Sequence, residues 1–279
     1  MGPETAPPPK LPCIDLSSDE LIPGTPLWDR TVAEVLRASV EFGFFEVVYP
    51  AIDVSERRVM FAKLAELFAL PLETKWRNTH DRPYHGYIGG PPNNLLYESL
   101  GVDLADDMEV DRFTGLMWPQ GNPGFRVMEY KPPEPSPDAV INLKSHTDTN
   151  FITVLCENSG GLEVLVDDGS GGTFAPLVAT MPGSLFVFIG DAFMAWSNGR
   201  LRSVPHRVVL REDKPRLSTG LFMLPEGGWM IEAPEDLIGD ENPRRLYRPF
   251  EYFDILTRCY ANPVKNMSGQ QVFNELLRL

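Results

Sequence analysis

From Phe125 to Pro225 the chain alternates short apolar runs with turn-forming clusters. FRVMEYK, AVINLKS, FITVLCE, LEVLVDD, FAPLVAT, SLFVFIG, SVPHRVVL and LSTGLFML are separated by PPEPSPD, NSGG, DDGSGG, MPG and NGR. Short runs rich in Val, Ile, Leu and Phe, broken by Gly, Pro, Asn and Asp, predict strands joined by reverse turns. Eight such strands in succession predict an antiparallel jelly roll, not a parallel α/β sheet. DDGSGG reads as a hairpin loop, because no helix follows it and no Lys-Ser/Thr completes a phosphate cradle.

The flanks have a different period. Residues 1–10 read as a polar tail, and LPCIDLS as a short strand. TPLWDRTVAEVLRASVEFG predicts a helix with Pro26 near its start and Gly43 at its stop. Val32, Val35, Leu36 and Val40 share one face of it. FFEVV predicts a strand. SERRVMFAKLAELFALP predicts a second amphipathic helix, opened by Ser55 and closed at Pro71. Residues 79–125 are rich in Gly, Pro and Asn and read mostly as loop, with short pieces of structure. Helix and loop return from about residue 234. The resulting division is a tail (1–10), a mixed N-terminal region (11–125), a β core (126–233) and C-terminal helices with loop (234–279). The fold class is mainly β with flanking helices.

Composition narrows the partners. The 279 residues are 43% hydrophobic and 23% charged, which suits one large domain or two closely packed ones. A net charge of −14 makes the chain a poor partner for nucleic acid or an anionic membrane, since both would repel it. Cys13, Cys156 and Cys259 lie far apart with no CxxC spacing, so neither a disulfide framework nor a thiolate zinc site is expected. MGPETAPPPK lacks the apolar segment of a signal peptide, and no run reaches the length that spans a bilayer. The expected compartment is the cytoplasm, and the expected form is a monomer.

The candidate chemistry sits in the strands. Only four histidines occur: His80, His85, His146 and His206. His146 and Asp148 are two apart, so on an extended chain both side chains leave one face. His206 lies several strands later, where a jelly roll can bring it beside that pair. Two imidazoles and one carboxylate on one face of an octahedron leave three positions open, the arrangement suited to non-haem Fe(II) that binds a co-substrate and O2. Ten residues after His206 comes Arg216, with Ser218 two further on. A guanidinium fork beside a hydroxyl is a receptor for a carboxylate. A dicarboxylate fits both ends, one chelating iron and the other meeting Arg216 and Ser218, and 2-oxoglutarate is the natural candidate. Tyr130 is placed to add a hydrogen bond. Each feature alone is commoner as a turn, a solvated strand or a core histidine. Their joint spacing is restrictive.

That joint pattern resembles the plant 2-oxoglutarate/Fe(II)-dependent dioxygenase superfamily. SHTDTNFITVL, GDAFMAWSNGRLRSVPHRVV and PRLSTGLFMLP are similar to its core strands. LPCIDL, EFGFFEVV, LPLETKW and GYIGG resemble its N-terminal region. LLYESLG, WPQGNPGF and RVMEYK resemble most the branch of AOP-type glucosinolate side-chain enzymes and steroidal-glycoalkaloid hydroxylases. The resemblance covers about residues 11–258. It implies an isopenicillin N synthase-like fold with a double-stranded β-helix (jelly roll, cupin-like) core. His146, Asp148 and His206 match the iron ligands, Arg216 and Ser218 the binding groups for the far carboxylate of 2-oxoglutarate, and Tyr130 the tyrosine of an Asn-x-Tyr pattern. Met128 stands where many members have that Asn. Phe222, Tyr87 and Phe193 are candidates for the substrate pocket, with core packing as the plainer reading.

The implied activity is an oxidoreductase using O2 and 2-oxoglutarate, with ascorbate as reductant, to hydroxylate, desaturate or cleave a small plant specialised metabolite. Relatives carry a mostly helical segment between the equivalents of Phe125 and Arg126, where the two motifs abut in this chain. That difference keeps a non-catalytic or impaired homologue open. An iron oxidase that does not use 2-oxoglutarate is a second alternative. A zinc hydrolase ranks lower, because catalytic zinc more often takes three His or two His and a Glu.

Overall fold

The computed structural model describes residues 11–49, 53–83, 85–90, 94–103, 107–118, 127–130, 140–166, 171–210, 215–239, 243–261 and 269–279. The tail 1–10, the Phe125–Arg126 junction, PPEPSPD and the first part of DDGSGG lie outside the described residues. In chain order the elements are β1 (Cys13–Asp15), α1 (Pro26–Glu41), β2 (Phe44–Val48), α2 (Val54–Phe68), α3 (Leu72–Lys75), β3 (Tyr87–Gly90), β4 (Asn94–Leu100), α4 (Asp107–Met117), β5 (Val127–Tyr130) and β6 (Val140–His146). There follow β7 (Ile152–Glu157), β8 (Leu162–Val166), β9 (Thr173–Pro176), β10 (Leu185–Ile189), α5 (Asp191–Trp196), β11 (His206–Leu210), β12 (Arg216–Met223), β13 (Met230–Ile231), β14 (Phe250–Glu251), α6 (Tyr252–Ala261) and α7 (Gly269–Leu277).

The strands form two principal sheets. The larger runs β1-β2-β10-β7-β12-β5-β4-β3 and the smaller β6-β11-β8-β9. Every neighbouring pair in them is antiparallel except β1 with β2. One core unites them: Phe44, Leu155, Phe186 and Phe188 of the larger sheet meet Leu162, Val164, Val208 and Leu210 of the smaller. This is the jelly-roll interior that the alternating runs predict. The alternate residues of the larger sheet point outward. Cys156, Leu185 and Leu217 pack under Phe61, Leu64 and Leu67 of α2 and Phe113 and Met117 of α4. α5, α6 and α7 close a third cluster around Phe250 and Phe273.

Local chemistry sets the helix ends. Thr25 caps α1, its Oγ1 accepting from the Trp28 N–H at 3.2 Å, and Pro26 follows at the first turn. The chain leaves α1 through Gly43 at φ 78°, where a Cβ would stand 2.3 Å from the Arg202 carbonyl oxygen. α2 opens differently from the sequence reading: Asp53 is the cap, and the Ser55 N–H donates to its carboxylate at 2.6 Å.

Two features go beyond the sequence reading. Val32, Leu36 and Val40 of α1 face solvent at 47%, 56% and 43% exposure, whereas Ala38 packs on Ile14, Phe45 and Val47. The contact side carries the small Thr31, Ala38 and Ser39, so the larger aliphatics are turned away, and only Val35 reaches the cluster. In the described parts of residues 79–125 the short pieces of structure are β3, β4 and α4. β4 hydrogen-bonds to β5, and α4 buries Phe113 and Met117. Pairing to strands elsewhere in the chain, not local propensity, decides that segment.

Candidate active site

β6 and β11 are neighbours in the smaller sheet, and their register pairs His146 directly with His206. The register shifts between His206 and Val208 and again at Val209, the kind of irregularity that re-aims side chains at the end of a ladder. Past the end of β6 the side chains still alternate. Thr147 turns away, donating its hydroxyl to Asp191 at 2.9 Å, and Asp148 turns back toward the histidines. Asp148 Oδ1 lies 3.8 Å from His146 Nε2 and 3.7 Å from His206 Nε2. These separations exceed a hydrogen bond. One ligand atom from each residue lies within 4.8 Å of the others, and no second such group of three occurs among the described residues.

The imidazoles are oriented from behind. His146 Nδ1 faces the Lys144 carbonyl at 2.9 Å, and His206 Nδ1 faces that of Val204 at 3.3 Å. Nδ1–H donation to those carbonyls leaves both Nε2 lone pairs directed at Asp148, the outer-shell arrangement typical of metal-ligating histidine. Burial, with His146 adding to it, pushes the His206 imidazole down to about 4, so it is neutral at neutral pH. The Phe188 ring packs against it at 4.7 Å between centroids. The second oxygen of Asp148 accepts from Thr153 Oγ1 at 2.5 Å.

The loop that carries Asp148 rests on the start of α5. The Asp191 N–H donates to the Asp148 carbonyl at 2.7 Å, and the Ala192 N–H to that of Thr149 at 3.2 Å, so the free donors of the first turn clamp the loop. Gly190 permits this contact, since a Cβ there would sit 1.9 Å from the Asn150 carbonyl oxygen. Asp191 is fully buried, and burial pushes its carboxyl up to about 7.

β12 runs through the same interior. Arg216, Ser218, Gly220 and Phe222 share its inner face, while Leu217 joins the outer cluster. Arg216 is 1% exposed and Ser218 fully buried, with Arg216 Nη1 3.4 Å from Ser218 Oγ. Nearby, Gly161 at φ 117° approaches the β11 backbone closely; a Cβ there would lie 2.9 Å from the Val209 carbonyl oxygen. Phe222 packs against the inner core beside Thr153, its partner in register. Tyr130 pairs with Arg216 in the β5–β12 register, and its side chain is outside what the structure describes.

Two pocket candidates go elsewhere. Tyr87 packs in the helix-side cluster and donates to Glu98 at 2.8 Å. Phe193 packs between Phe151 and Trp196 with tilted rings, on the α5 side of the metal loop. The sequence reading missed Glu157, which ion-pairs with Arg216, and the supports Thr153 and Asp191. A signal existed: in FITVLCE the period of two puts Thr153 and Glu157 on the face of the inward Leu155.

Profile matches cover most of the chain. Residues 123–225 match the 2OG-Fe(II) oxygenase superfamily, and residues 11–104 the N-terminal region of the non-haem dioxygenases in morphine synthesis. A probable 2-oxoglutarate-dependent dioxygenase of Arabidopsis thaliana, AOP1.2, is 35% identical, with 88% of this chain and 90% of the relative covered. The chain belongs to the 2-oxoglutarate-dependent dioxygenases. Among solved structures, the rice dioxygenase for auxin oxidation superposes with a TM-score of 0.77 at 29% identity, covering 97% of this chain and all of that one. The Arabidopsis thaliana counterpart, solved as a binary complex with 2-oxoglutarate, has a TM-score of 0.69 at 28% identity over 84% of this chain.

This dioxygenase therefore uses Fe(II) with 2-oxoglutarate as co-substrate. It is also shorter than its relative. The match to AOP1.2 is 297 positions long but holds 88% of 279 residues, about 246, so about fifty positions of the relative face no residue here. Among the described residues no helix is long and apolar enough to cross a membrane.

Proposed function

We propose that this dioxygenase oxidises a C–H bond of a small plant specialised metabolite, with His146, Asp148 and His206 as the Fe(II) ligands and Arg216 with Ser218 holding the far carboxylate of 2-oxoglutarate. The observation that carries the reading is the placement of both groups in one interior. Two imidazoles and one carboxylate converge at its mouth, and a buried guanidinium with a hydroxyl lies on the inner face of β12. O2 would be the oxidant: with Fe(II) bound, one oxygen atom would enter 2-oxoglutarate as it is decarboxylated to succinate and CO2, and the other would serve to oxidise the substrate.

The protein's own share is binding and orientation. Nδ1–H donation to Lys144 and Val204 holds the two rings, and Thr153 holds the carboxylate. Arg216 gives the co-substrate one orientation. Phe222, on the same face as Arg216 and nearer the metal loop, offers an apolar surface to the prime substrate. The rice relative's name concerns auxin oxidation; a small apolar metabolite with a polar handle is the class proposed here. The test is succinate release from purified protein with Fe(II), ascorbate and 2-oxoglutarate across a panel of plant metabolites. Release stimulated by one compound class, with an oxidised product, supports the reading. Iron-loaded, folded protein that releases no succinate with any compound points to the impaired homologue instead.

A further inference from the structure

The Arg216 guanidinium is not directed at a co-substrate alone. Its Nε lies 3.1 Å from Glu157 Oε2, and its Nη2 donates to the same oxygen. Nη1, on the other edge, is the one near Ser218. Glu157 is 9% exposed and sits at the inner end of β7, opposite Ser218 in the β7–β12 register. Its own backbone carbonyl accepts from Arg57 Nη2 of α2 at 2.6 Å, which ties the strand end down.

We propose that Glu157 shares Arg216 with the far carboxylate of 2-oxoglutarate, and that co-substrate binding is therefore coupled to uptake of one proton by Glu157. The inference rests on the reading of Arg216 and Ser218 as the carboxylate receptor. One guanidinium can meet two carboxylates, one on each edge. Two buried carboxylates would then touch one guanidinium, since Arg57 donates to the Glu157 backbone carbonyl and not to its carboxylate, and keeping both ionised in a low-dielectric interior is costly unless one is neutralised. The proton comes from solvent and goes to the Glu157 carboxylate, the one anion of the pair that belongs to the protein.

The surroundings favour that site for the proton. Among the described residues, the charged groups acting on Glu157 are Arg216 of β12 and Arg57 of α2. Cys156, the titratable neighbour on β7, points into the outer cluster. Burial already lifts the Glu157 carboxyl above the usual range, with the two arginines pulling it back. A second anion on Arg216 weakens that pull and lifts it further.

The test is calorimetric titration of 2-oxoglutarate into the full chain loaded with Mn(II), which does not turn over, in buffers of different ionisation enthalpy between pH 6 and pH 8. Wild type should take up a proton per co-substrate bound, approaching one at the upper end, and its affinity should fall as pH rises, up to tenfold per unit. 2-Oxobutyrate, which keeps the chelating end and lacks the far carboxylate, should bind without proton uptake. Glu157→Gln, nearly isosteric, should bind 2-oxoglutarate about tenfold tighter than wild type at pH 8, with no uptake and no pH slope. Wild type binding with no proton uptake overturns the inference, and this needs no variant to fold. A folded Glu157→Gln that binds more weakly, with the slope unchanged, also overturns it and makes the glutamate a plain anchor for the arginine. Failure of the underlying reading looks different: Arg216→Ala would then bind 2-oxoglutarate as wild type does.

Discussion

His146 and His206, sixty positions apart in the chain, are direct partners in the antiparallel register of β6 and β11, with ring centroids 4.4 Å apart. The ladder itself therefore delivers two imidazoles to one point, and Asp148 needs only the next outward-and-back turn of the chain to join them. A site built on paired strands holds its ligands more tightly than one built on loops alone.

Replacing His206 by Ala removes one of the three donors and leaves His146 and Asp148 unable to complete the face. Stoichiometric Fe(II) binding should be lost while the fold is kept, as read by metal analysis and circular dichroism. A variant that still holds one equivalent of iron would show that the ligand set is wrong.

Arg216→Ala removes charge-assisted hydrogen bonds to a carboxylate, each worth about 1.5–3 kcal/mol. The KM for 2-oxoglutarate should rise roughly tenfold to a hundredfold, and the KM for the prime substrate far less. The same variant leaves Glu157 without its ion partner, so a lower melting temperature is expected too. An unchanged dependence on 2-oxoglutarate would refute the assignment.

Gly190→Ala places a methyl group 1.9 Å from the Asn150 carbonyl oxygen, on the loop that carries Asp148. That oxygen is backbone, so the loop itself has to move. Stability should fall by about 1–3 kcal/mol or more, and metal affinity should fall with it. Wild-type values for both thermal melting and Mn(II) titration would mean that the loop does not depend on this close approach.

The shortening relative to AOP1.2 gives a prediction of its own. Inserting a relative's segment between Phe125 and Arg126, where the sequence reading expects the missing helix, should raise the melting temperature by covering apolar surface. No rise would mean that this chain has compensated elsewhere.

Much of this protein is legible without coordinates, because the relevant signals are local. A period of two identifies FITVLCE and LSTGLFML as strands and sorts each residue to one of two faces. That sorting places Arg216, Ser218 and Phe222 together and sets His146 with Asp148. Short motifs at fixed separations did the rest for the metal and the co-substrate. Which strands lie side by side is another matter. Register depends on contacts between residues distant in the chain, and no window of sequence contains them. Only the fold shows that His206 faces His146, that Glu157 reaches Arg216 from 59 residues away, and that Tyr87 turns to Glu98 on the helix side. The same limit explains α1. Its apolar stripe is plain in the sequence, but the tight approach to β1 and β2 accepts Ala38 and leaves Val32, Leu36 and Val40 in solvent. Local periodicity decides which side chains share a face; packing between distant elements decides what that face meets.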